Sequence, residues 1–409
     1  MPSASAVPRL VPDVDRDGEP GRADVFGRGL SWRCLAAPGR SIPDWLLLLA
    51  VMLAAGCAAE PQVKEERRSP AEVRAQLVGA LPAGLADREG WATDIQLAFE
   101  RLGIAPSREN LCAALAVTEQ ESTFTVDPAV PGLPKIAREE IDRRAARLGI
   151  PPFLVRAALQ LESGNGRTYA ERISTIRTEH QLSRLYEDLI GQVPLGKQLF
   201  SSANPVRTGG PMQVAIGFAE RHASERPYPF DYRGSIRDEV FTRRGGLYFG
   251  IAHLLGYPAS YDRHLYRFAD FNAGWYASRN AAFQAAVAAA SGTVLTLDGD
   301  LVVPDGNRGQ VGATEAAVRS LGPQLGLGDA AIRQALEQGD RQSFERTELY
   351  HAVFAMAERK SPRPLPRAVI PRIDLRSPKI TRKLTTEWFA NRVQQRYERC
   401  LGKEAIVQR

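Results

Sequence analysis

The sequence predicts a mainly α-helical protein with a helical C-terminal extension and one small β-hairpin. Most of the chain after residue 90 repeats apolar side chains at the three- and four-residue spacing of amphipathic helices, and strand patterns are scarce. With 409 residues and 44% hydrophobic positions, the chain can bury the core of one large domain or of two ordinary ones. Disorder throughout the chain is therefore excluded.

The individual helices are predicted from apolar spacing and from residues that cap helix ends. Ser107 gives a clear start signal, because its hydroxyl can cap the Ala/Leu-rich run that follows. The predicted helices cover 93–102, 107–121, 137–148, 152–162, 179–190, 246–255, 266–290, 313–320, 329–337, 343–360 and 386–401. The hairpin is predicted at 293–303, where two apolar, valine-containing runs flank an Asp298-Gly299 turn signal.

Composition argues against several classes of partner. The chain has 53 Lys plus Arg against 47 Asp plus Glu, a net charge of +6 that is spread along its length. Because it has no block of five or more basic residues, we expect no nucleic-acid partner. It also has no Cys-x-x-Cys and no His-Glu-x-x-His arrangement, so we expect no metal and no cofactor.

An uncharged apolar run ends directly before Cys57. At about 15 residues it is shorter than the span of about 20 that a transmembrane helix needs, but it suits a signal peptide over residues 1–56. The segment Leu53-Ala54-Ala55-Gly56-Cys57 resembles a bacterial lipobox. This resemblance implies cleavage before Cys57, acylation of that residue and attachment to a membrane through its lipid. The alternative is a short buried core helix.

The rest of the chain is divided by composition into three parts. Residues 57–80 contain the lipidated cysteine and a polar tether, residues 81–290 form a helical domain, and residues 291–409 form the helical extension. After removal of the leader, Cys112 and Cys400 remain in a compartment that is oxidising if the chain is exported. A disulfide between them would close a very long loop and, by the chain-entropy argument, stabilise the fold by several kcal/mol. The alternative is two buried thiols.

Glu121 is the first candidate for chemistry. It continues the apolar face formed by Ala114 and Val117, at the C-terminal end of the predicted helix over 107–121. Partial burial and the negative end of the helix dipole both favour the protonated carboxyl, so a raised pKa is expected for Glu121. A glutamic acid in that state can protonate a glycosidic oxygen.

Four segments, in order, resemble the motifs of lytic transglycosylases and goose-type lysozymes. Gln120-Glu121-Ser122-Thr123-Phe124 resembles their Glu-Ser-x-Phe signature, and Gly210-Pro211-Met212-Gln213-Val214 resembles their Gly-Leu-Met-Gln motif. Ala269-Asp270-Phe271-Asn272-Ala273-Gly274 resembles their Ala-Tyr-Asn-Ala-Gly motif, and Gly250-Ile251-Ala252-His253-Leu254-Leu255 resembles the helix that precedes it. The resemblance covers about residues 95–290. The whole chain also resembles an uncharacterised family of Gram-negative lipoproteins.

The resemblance implies a lysozyme-like catalytic domain over residues 81–290 in which Glu121 is the single acid and base. It also implies substrate contacts from Ser122, Met212, Gln213, Asn272 and Tyr276. In that mechanism one carboxyl protonates the leaving oxygen, and the 2-acetamido group of the sugar stabilises the anomeric carbon. The carboxylate then takes the proton of the 6-hydroxyl as an anhydro ring closes. No second carboxylate is required, in contrast to a standard glycosidase pair.

The chain departs from the family pattern in two main places. Gln213 follows Glu121 by 92 residues, so the domain is predicted to carry an insertion near residues 131–208. The tyrosine of the third motif is replaced by Phe271, whose missing hydroxyl could come from Tyr248 or Tyr276. A rival acid is Glu162 in Leu161-Glu162-Ser163-Gly164, which lies closer to Gln213 in sequence but lacks the aromatic residue that follows Glu121.

Two functions are therefore expected as alternatives. The first is a peptidoglycan lytic transglycosylase or muramidase that cleaves the bond between N-acetylmuramic acid and N-acetylglucosamine. The second is a lipoprotein that binds peptidoglycan glycan strands, or scaffolds a wall-remodelling protein partner, without cleaving them. Because Ala58 rather than an aspartate follows Cys57, the expected location is the outer membrane, with the protein facing the periplasm.

Overall fold

The fold is mainly helical, as predicted, in a computed structural model that describes residues 68–192, 195–303, 310–375 and 383–407. The α-helices are α1 (Pro70–Ala80), α2 (Arg88–Leu102), α3 (Arg108–Ser122), α4 (Leu133–Arg147), α5 (Pro152–Leu159), α6 (Tyr169–Thr175), α7 (Glu179–Gly191), α8 (Gly196–Phe200), α9 (Ile216–Glu225), α10 (Ile236–Val240), α11 (Arg243–Leu255), α12 (His264–Ala273), α13 (Ala277–Ser291), α14 (Ala313–Leu325), α15 (Asp329–Leu336), α16 (Glu348–Glu358) and α17 (Thr386–Val407). Short 3-10 turns cover Ser201–Ala203 and Gln342–Arg346. The predicted signal peptide and Cys57 lie outside the described residues.

The described strands are short and form two antiparallel pairs. Strands β1 (Thr208–Gly209) and β2 (Val214–Ala215) pair Thr208 with Ala215, and the turn between them contains the second motif. Strands β3 (Asp374–Leu375) and β4 (Leu384–Thr385) form the second pair and lead into α17. The strands therefore position loops and contribute little to the core.

Three hydrophobic cores occupy the described chain. The first is built by α1, α2, α3, the β1–β2 hairpin, α9, α11, α12 and α17, and the second by α13 to α16. The third is formed by α4 to α7, within the predicted insertion. The fully buried members of all three cores lie between Val73 and Cys400, and the described residues from Pro70 onward belong to one compact unit.

Helix α3 lies at the centre of the first core. All eight residues from Leu111 to Thr118 are buried, so neighbouring elements surround this part of the helix. Ser107 caps α3 as predicted, since its hydroxyl oxygen accepts a 3.1 Å hydrogen bond from the Asn110 backbone N–H. Helix α17 packs on α3 and on α12, so the last helix of the predicted C-terminal extension belongs to the first core.

The predictions of a tether through residue 80 and of a hairpin at 293–303 are wrong in the described residues. The predicted tether through residue 80 is helical from Pro70, because Val73 and Leu77, four residues apart, are both buried in the first core. The segment 293–303 contains no strand. Its backbone instead bonds to a neighbouring helix, where the Gly299 N–H donates to the side chain of Gln284.

The single helix predicted over residues 266–290 is broken into α12 and α13. Gly274, with φ of 104° and ψ of 154°, ends α12 in a conformation that a helix cannot continue. The Asp270 carboxylate then accepts backbone hydrogen bonds from Tyr276 (3.0 Å) and Ser278 (2.7 Å) at the start of α13. The periodic spacing continues across the break, so the pattern alone could not reveal it.

Candidate functional site

Glu121 lies in the last turn of α3, where that helix emerges from the first core. Its side chain is half-buried, whereas the preceding turns are fully enclosed. The neighbouring Ser122 is buried, and its hydroxyl donates a 3.1 Å hydrogen bond to the Thr118 carbonyl within the helix. Glu121 is therefore anchored through an enclosed helix and is only partly covered by protein.

The backbone turns sharply directly after Glu121. Thr123 and Phe124 have φ values of 50° and 58°, the left-handed region that non-glycine residues rarely adopt. The ring of Phe124 is buried and packs edge-to-face against Trp91 of α2, with centroids 5.5 Å apart. The aromatic residue of the first motif therefore fixes an unfavourable turn next to the candidate acid.

The second motif forms the turn of the β1–β2 hairpin. The N–H of Gln213 donates to the Gly210 carbonyl at 3.1 Å, and the Gln213 side-chain amide donates to the same oxygen at 3.2 Å. The Thr208 hydroxyl donates to Gln213 Oε1 at 3.4 Å. With φ of 47°, Gln213 is another non-glycine residue in the left-handed region. These bonds hold a half-buried amide at the tip of the hairpin.

The hairpin packs tightly on α11. Met212 is completely buried, and a Cβ added at Gly250 of α11 would lie 2.5 Å from its sulfur. One turn earlier, Gly246 allows the close approach of Pro211. Met212 is predicted to contact a sugar ring, but the structure places its side chain in the core, where it supports the hairpin.

The third motif ends α12 and brings Asn272 to the surface. Asn272 is exposed, and its Oδ1 accepts a 3.2 Å hydrogen bond from the hydroxyl of Thr386, the first residue of α17. The amide nitrogen of Asn272 makes no hydrogen bond within the described part of the chain. Phe271 is buried next to His253, with ring centroids 5.1 Å apart, in place of the family tyrosine.

Tyr276 is enclosed by protein. Its hydroxyl donates to the Pro258 carbonyl at 2.8 Å, and the guanidinium of Arg279 lies 4.2 Å from its ring centroid. Burial raises the pKa of Tyr276 to about 12, so the hydroxyl stays protonated. The side chain holds the start of α13 in place, and Tyr248, the other tyrosine considered for the missing hydroxyl, is also buried.

Asp270 has no access to solvent. Besides the backbone N–H groups at the start of α13, its Oδ2 accepts hydrogen bonds from the hydroxyls of Tyr257 at 3.0 Å and Tyr261 at 2.6 Å. Burial raises the pKa of Asp270, and these hydrogen bonds oppose that shift. A carboxylate with this role caps a helix and is not placed to activate a water molecule at a sugar.

The rival Glu162 and the nearby Glu119 lie in different surroundings from Glu121. Glu162 is exposed in the insertion and forms an isolated β-bridge with Thr168, outside the first core. Glu119 pairs with Arg399 at 2.9 Å and Arg396 at 3.4 Å, both on α17. The segments of the first, second and third motifs, by contrast, all enter the first core, through Phe124, Met212 and Phe271.

Glu239 is a titratable side chain that the sequence did not single out. Its Oε2 accepts a 3.0 Å hydrogen bond from the Tyr228 hydroxyl, and burial raises the pKa of Glu239. The next residue, Val240, packs its carbonyl against Gly210 of the hairpin. A half-buried carboxyl with a raised pKa beside a motif is a candidate for function. No sequence pattern pointed to Glu239, because its burial depends on Tyr228, which lies 11 residues earlier.

A cavity of about 550 Å³ is lined by residues outside the motifs, among them Arg172, Arg184 and Asp188 of the insertion, together with Asp238. Among the described residues, no His, Cys, Asp and Glu side chains group as three or more ligands for a metal ion. None of the described helices combines the length and the apolar character needed to cross a bilayer.

Residues 84–403 match a family model described as "Protein of unknown function (DUF1615)". The "Uncharacterized protein YaiW" of Escherichia coli (strain K12) is 54% identical over 357 residues, which cover 87% of this chain and 97% of that relative. No solved structure matches the chain. Neither description names an activity. Because the family model spans most of the sequence, the chain belongs to the DUF1615 family.

Proposed function

We propose that this protein is a lipid-anchored, lytic-transglycosylase-like enzyme that cleaves peptidoglycan glycan strands, with Glu121 as acid and base. One observation carries the proposal. Six described non-glycine residues have a positive φ, and four of them lie in or directly beside the three motifs: Thr123, Phe124, Gln213 and Tyr276. Such conformations cost about 1 to 3 kcal/mol each and cluster at functional sites, where the surrounding structure enforces them.

The position of Glu121 suits the proposed chemistry. The middle turns of α3 are enclosed by the first core, so the backbone of Glu121 is held in place while its side chain is only half-buried. As the acid, Glu121 donates its proton to the glycosidic oxygen while that bond breaks. As the resulting carboxylate, it takes the proton of the 6-hydroxyl as the anhydro ring closes. The Gln213 amide and the Asn272 amide nitrogen are the proposed contacts to the sugar.

A second candidate is a peptidoglycan-binding lipoprotein without activity. Phe271 favours this candidate. It stands where the lytic transglycosylase motif has a tyrosine, so that hydroxyl is missing, and Phe271 is buried in the core. The engagement of Asn272 Oδ1 by Thr386 also leaves fewer groups for a substrate. Under this proposal the same surface binds glycan strands but leaves them intact.

Digestion of purified sacculi by residues 68–409 distinguishes the two candidates. The parent protein is expected to release soluble muropeptides, and Glu121→Gln is expected to lower the release rate by about a hundredfold or more. Sacculus binding, measured by co-sedimentation, should persist in that variant. Glu162→Gln is the matched control, because it makes the same change at an exposed position outside the first core.

Glu239→Gln tests the remaining carboxyl near the hairpin. With a single acid and base at Glu121, the variant should retain its activity. A loss as large as that of Glu121→Gln, in a folded protein, would mean that a second carboxylate takes part. Equal release by the parent and by Glu121→Gln would contradict the assignment of Glu121, and binding without release would favour the second candidate.

A further inference from the structure

The corner between α4 and α5 exposes a group of large apolar side chains. Helix α5 contains one charged residue, Arg156, and seven apolar ones, yet only Val155 and Leu159 of this helix are buried. A helix that is apolar around its whole circumference is normally enclosed. The exposed side chains of this corner are Leu148 (77% exposed), Ile150 (40%), Phe153 (60%), Leu154 (48%) and Leu161 (56%).

This surface, residues 148–161, is called the apolar corner below. The sequence around it is strongly basic, with five arginines and one glutamate over residues 143–167. Arg143 and Arg144 are paired with Glu140 of α4. Arg147 and Arg156 are exposed and have no ion pair within the described part of the chain. Exposed apolar side chains are thus flanked by two guanidinium groups that are available to an anionic partner.

We propose that the apolar corner docks on the surface of an anionic lipid bilayer. Apolar side chains with arginines beside them suit the boundary between acyl chains and headgroups, where the rings and methyl groups enter the membrane. The guanidinium groups of Arg147 and Arg156 would contact lipid phosphates, which they can bind with two hydrogen bonds. Each basic residue near an anionic surface also gains electrostatic attraction. The charge pattern therefore favours a lipid surface over a protein partner.

The length of chain before the described residues supports a membrane as the occupant, and this step rests on the lipid anchor of the proposed function. Arg68 follows Cys57 by 11 residues. Even a fully extended segment of that length reaches only about 40 Å, at about 3.3 to 3.6 Å per residue. A lipidated Cys57 would therefore keep the domain close to the bilayer. Under that condition a weak second contact is strengthened by a high effective concentration.

Vesicle co-sedimentation of residues 68–409 tests the proposal without the anchor. This segment contains all three cores, so it is expected to fold by itself. The parent should bind vesicles of phosphatidylethanolamine and phosphatidylglycerol, and should bind phosphatidylcholine vesicles about tenfold or more weakly. High salt should weaken binding to the anionic vesicles, because the contribution of the arginines is screened.

Two variants separate the apolar and the basic contributions. Phe153→Ser with Leu154→Ser should weaken vesicle binding by about tenfold or more, since two large apolar side chains no longer leave water. Arg147→Gln with Arg156→Gln should abolish the preference for anionic vesicles. Val294→Ser is the matched control, because Val294 is 97% exposed and lies outside the apolar corner. Circular dichroism checks that each variant is folded. If the serine variant is not folded, the arginine variant alone tests the proposal.

Absence of binding by the parent, or equal binding by the apolar-corner variants and Val294→Ser, would overturn the proposal. A different result would also overturn the proposal: the parent self-associates, and Phe153→Ser with Leu154→Ser abolishes this self-association but leaves vesicle binding unchanged. That result would identify a protein interface. Sacculus digestion by the same variants should be unchanged. A failure of the proposed enzymatic function and a failure of membrane docking are therefore measured separately.

Discussion

The imidazole of His253, on α11, is half-buried among aromatic rings. It packs against the rings of Phe218, Phe271 and Trp275, at centroid distances of 4.6, 5.1 and 6.0 Å. Its Nε2 lies 3.2 Å from the Phe271 carbonyl oxygen, which can only accept, so Nε2 carries the hydrogen. Burial lowers the pKa of His253 to about 4, and the neutral ring is therefore part of the folded state.

His253 should make stability depend on pH. Since its folded pKa of about 4 lies below the ordinary value of about 6.5, the unfolded chain binds an additional proton between these values. The neutral ring therefore contributes about 3 kcal/mol to the free energy of unfolding. This contribution is fully present above about pH 6.5 and is lost as the pH falls towards 4. Urea unfolding at about pH 7 and about pH 4.5 should show a smaller decrease for His253→Gln than for the parent. Equal decreases would contradict the assignment.

At the scale of single residues, the sequence predicted the burial of the candidate acid better than the burial of the proposed substrate-contacting residues. Glu121 is half-buried at a helix end, as its apolar spacing suggested. Ser122, Met212 and Tyr276 are buried, which spacing along the chain could not reveal because their burial depends on distant elements. Asp270 could be placed on a helix from sequence, but its four hydrogen bonds depend on the break after Gly274.

At the scale of elements, the hairpin and α11 depend on each other for their positions. A Cβ added at Gly246 would lie 2.7 Å from the Val240 carbonyl oxygen and closer still to the Pro211 ring. Both neighbours are stiff, so Gly246→Ala must displace the hairpin that carries Gln213. We expect this substitution to lower the free energy of unfolding by about 1 to 3 kcal/mol and to reduce sacculus digestion.

Gly217→Ala is the control for that substitution. Gly217 lies in α9 with nothing within 4 Å of an added Cβ. The higher helix propensity of alanine should leave stability unchanged or raise it by up to about 1 kcal/mol. Chemical denaturation of both variants measures the difference, and similar effects at the two glycines would contradict the close packing of α11 on the hairpin.

Element boundaries were predictable where local chemistry determines them. The Ser107 cap and the starts of α5, α7, α14, α15 and α17 follow from residues at those positions. The break between α12 and α13 could not be predicted, because it depends on the side chain of Asp270 as well as on Gly274. The predicted strands at 293–303 failed because the side chain of Gln284 on α13 accepts from the Gly299 N–H and donates to the Asp300 carbonyl, two backbone groups that a hairpin partner would otherwise pair with.

At the scale of the whole molecule, α17 returns to pack against α3, the helix that carries Glu121. Helix α17 packs on α3, and Cys112 and Cys400 are joined by a disulfide across a sequence separation of 288 residues. The sequence had left this pairing open against two buried thiols. Pairing of Glu119 with Arg399 reinforces the same contact. The helix that carries the candidate acid is thus held by α17.

Removal of the disulfide should destabilise the whole protein. The chain-entropy argument gives a loss of about 5 to 6 kcal/mol for a loop of this size. Reductant should therefore lower the thermal unfolding midpoint of residues 68–409, and Cys112→Ala with Cys400→Ala should show the lowered midpoint without reductant. The double variant is its own control, because added reductant should not change its midpoint further. An unchanged midpoint for the reduced parent would contradict a stabilising cross-link.

The grouping into three cores was the least predictable feature of the molecule. The spacing of the motifs indicated an insertion near residues 131–208, and the third core lies within that range. The return of α17 to the first core depends on contacts between residues nearly 300 positions apart, which no local pattern encodes. The apolar corner was unpredictable for the same reason, since the sequence showed an apolar helix but not which of its faces other elements cover.

The mass of the soluble products released from sacculi tests the central claim most directly. Mass spectrometry after digestion with residues 68–409 should detect anhydro-muropeptides, each one water lighter than the hydrolysed form, and Glu121→Gln should release none above background. This result would support cleavage by one carboxyl that acts first as acid and then as base. Products with reducing ends would contradict that mechanism and require a second carboxylate, and no products from a protein that binds sacculi would contradict catalysis itself.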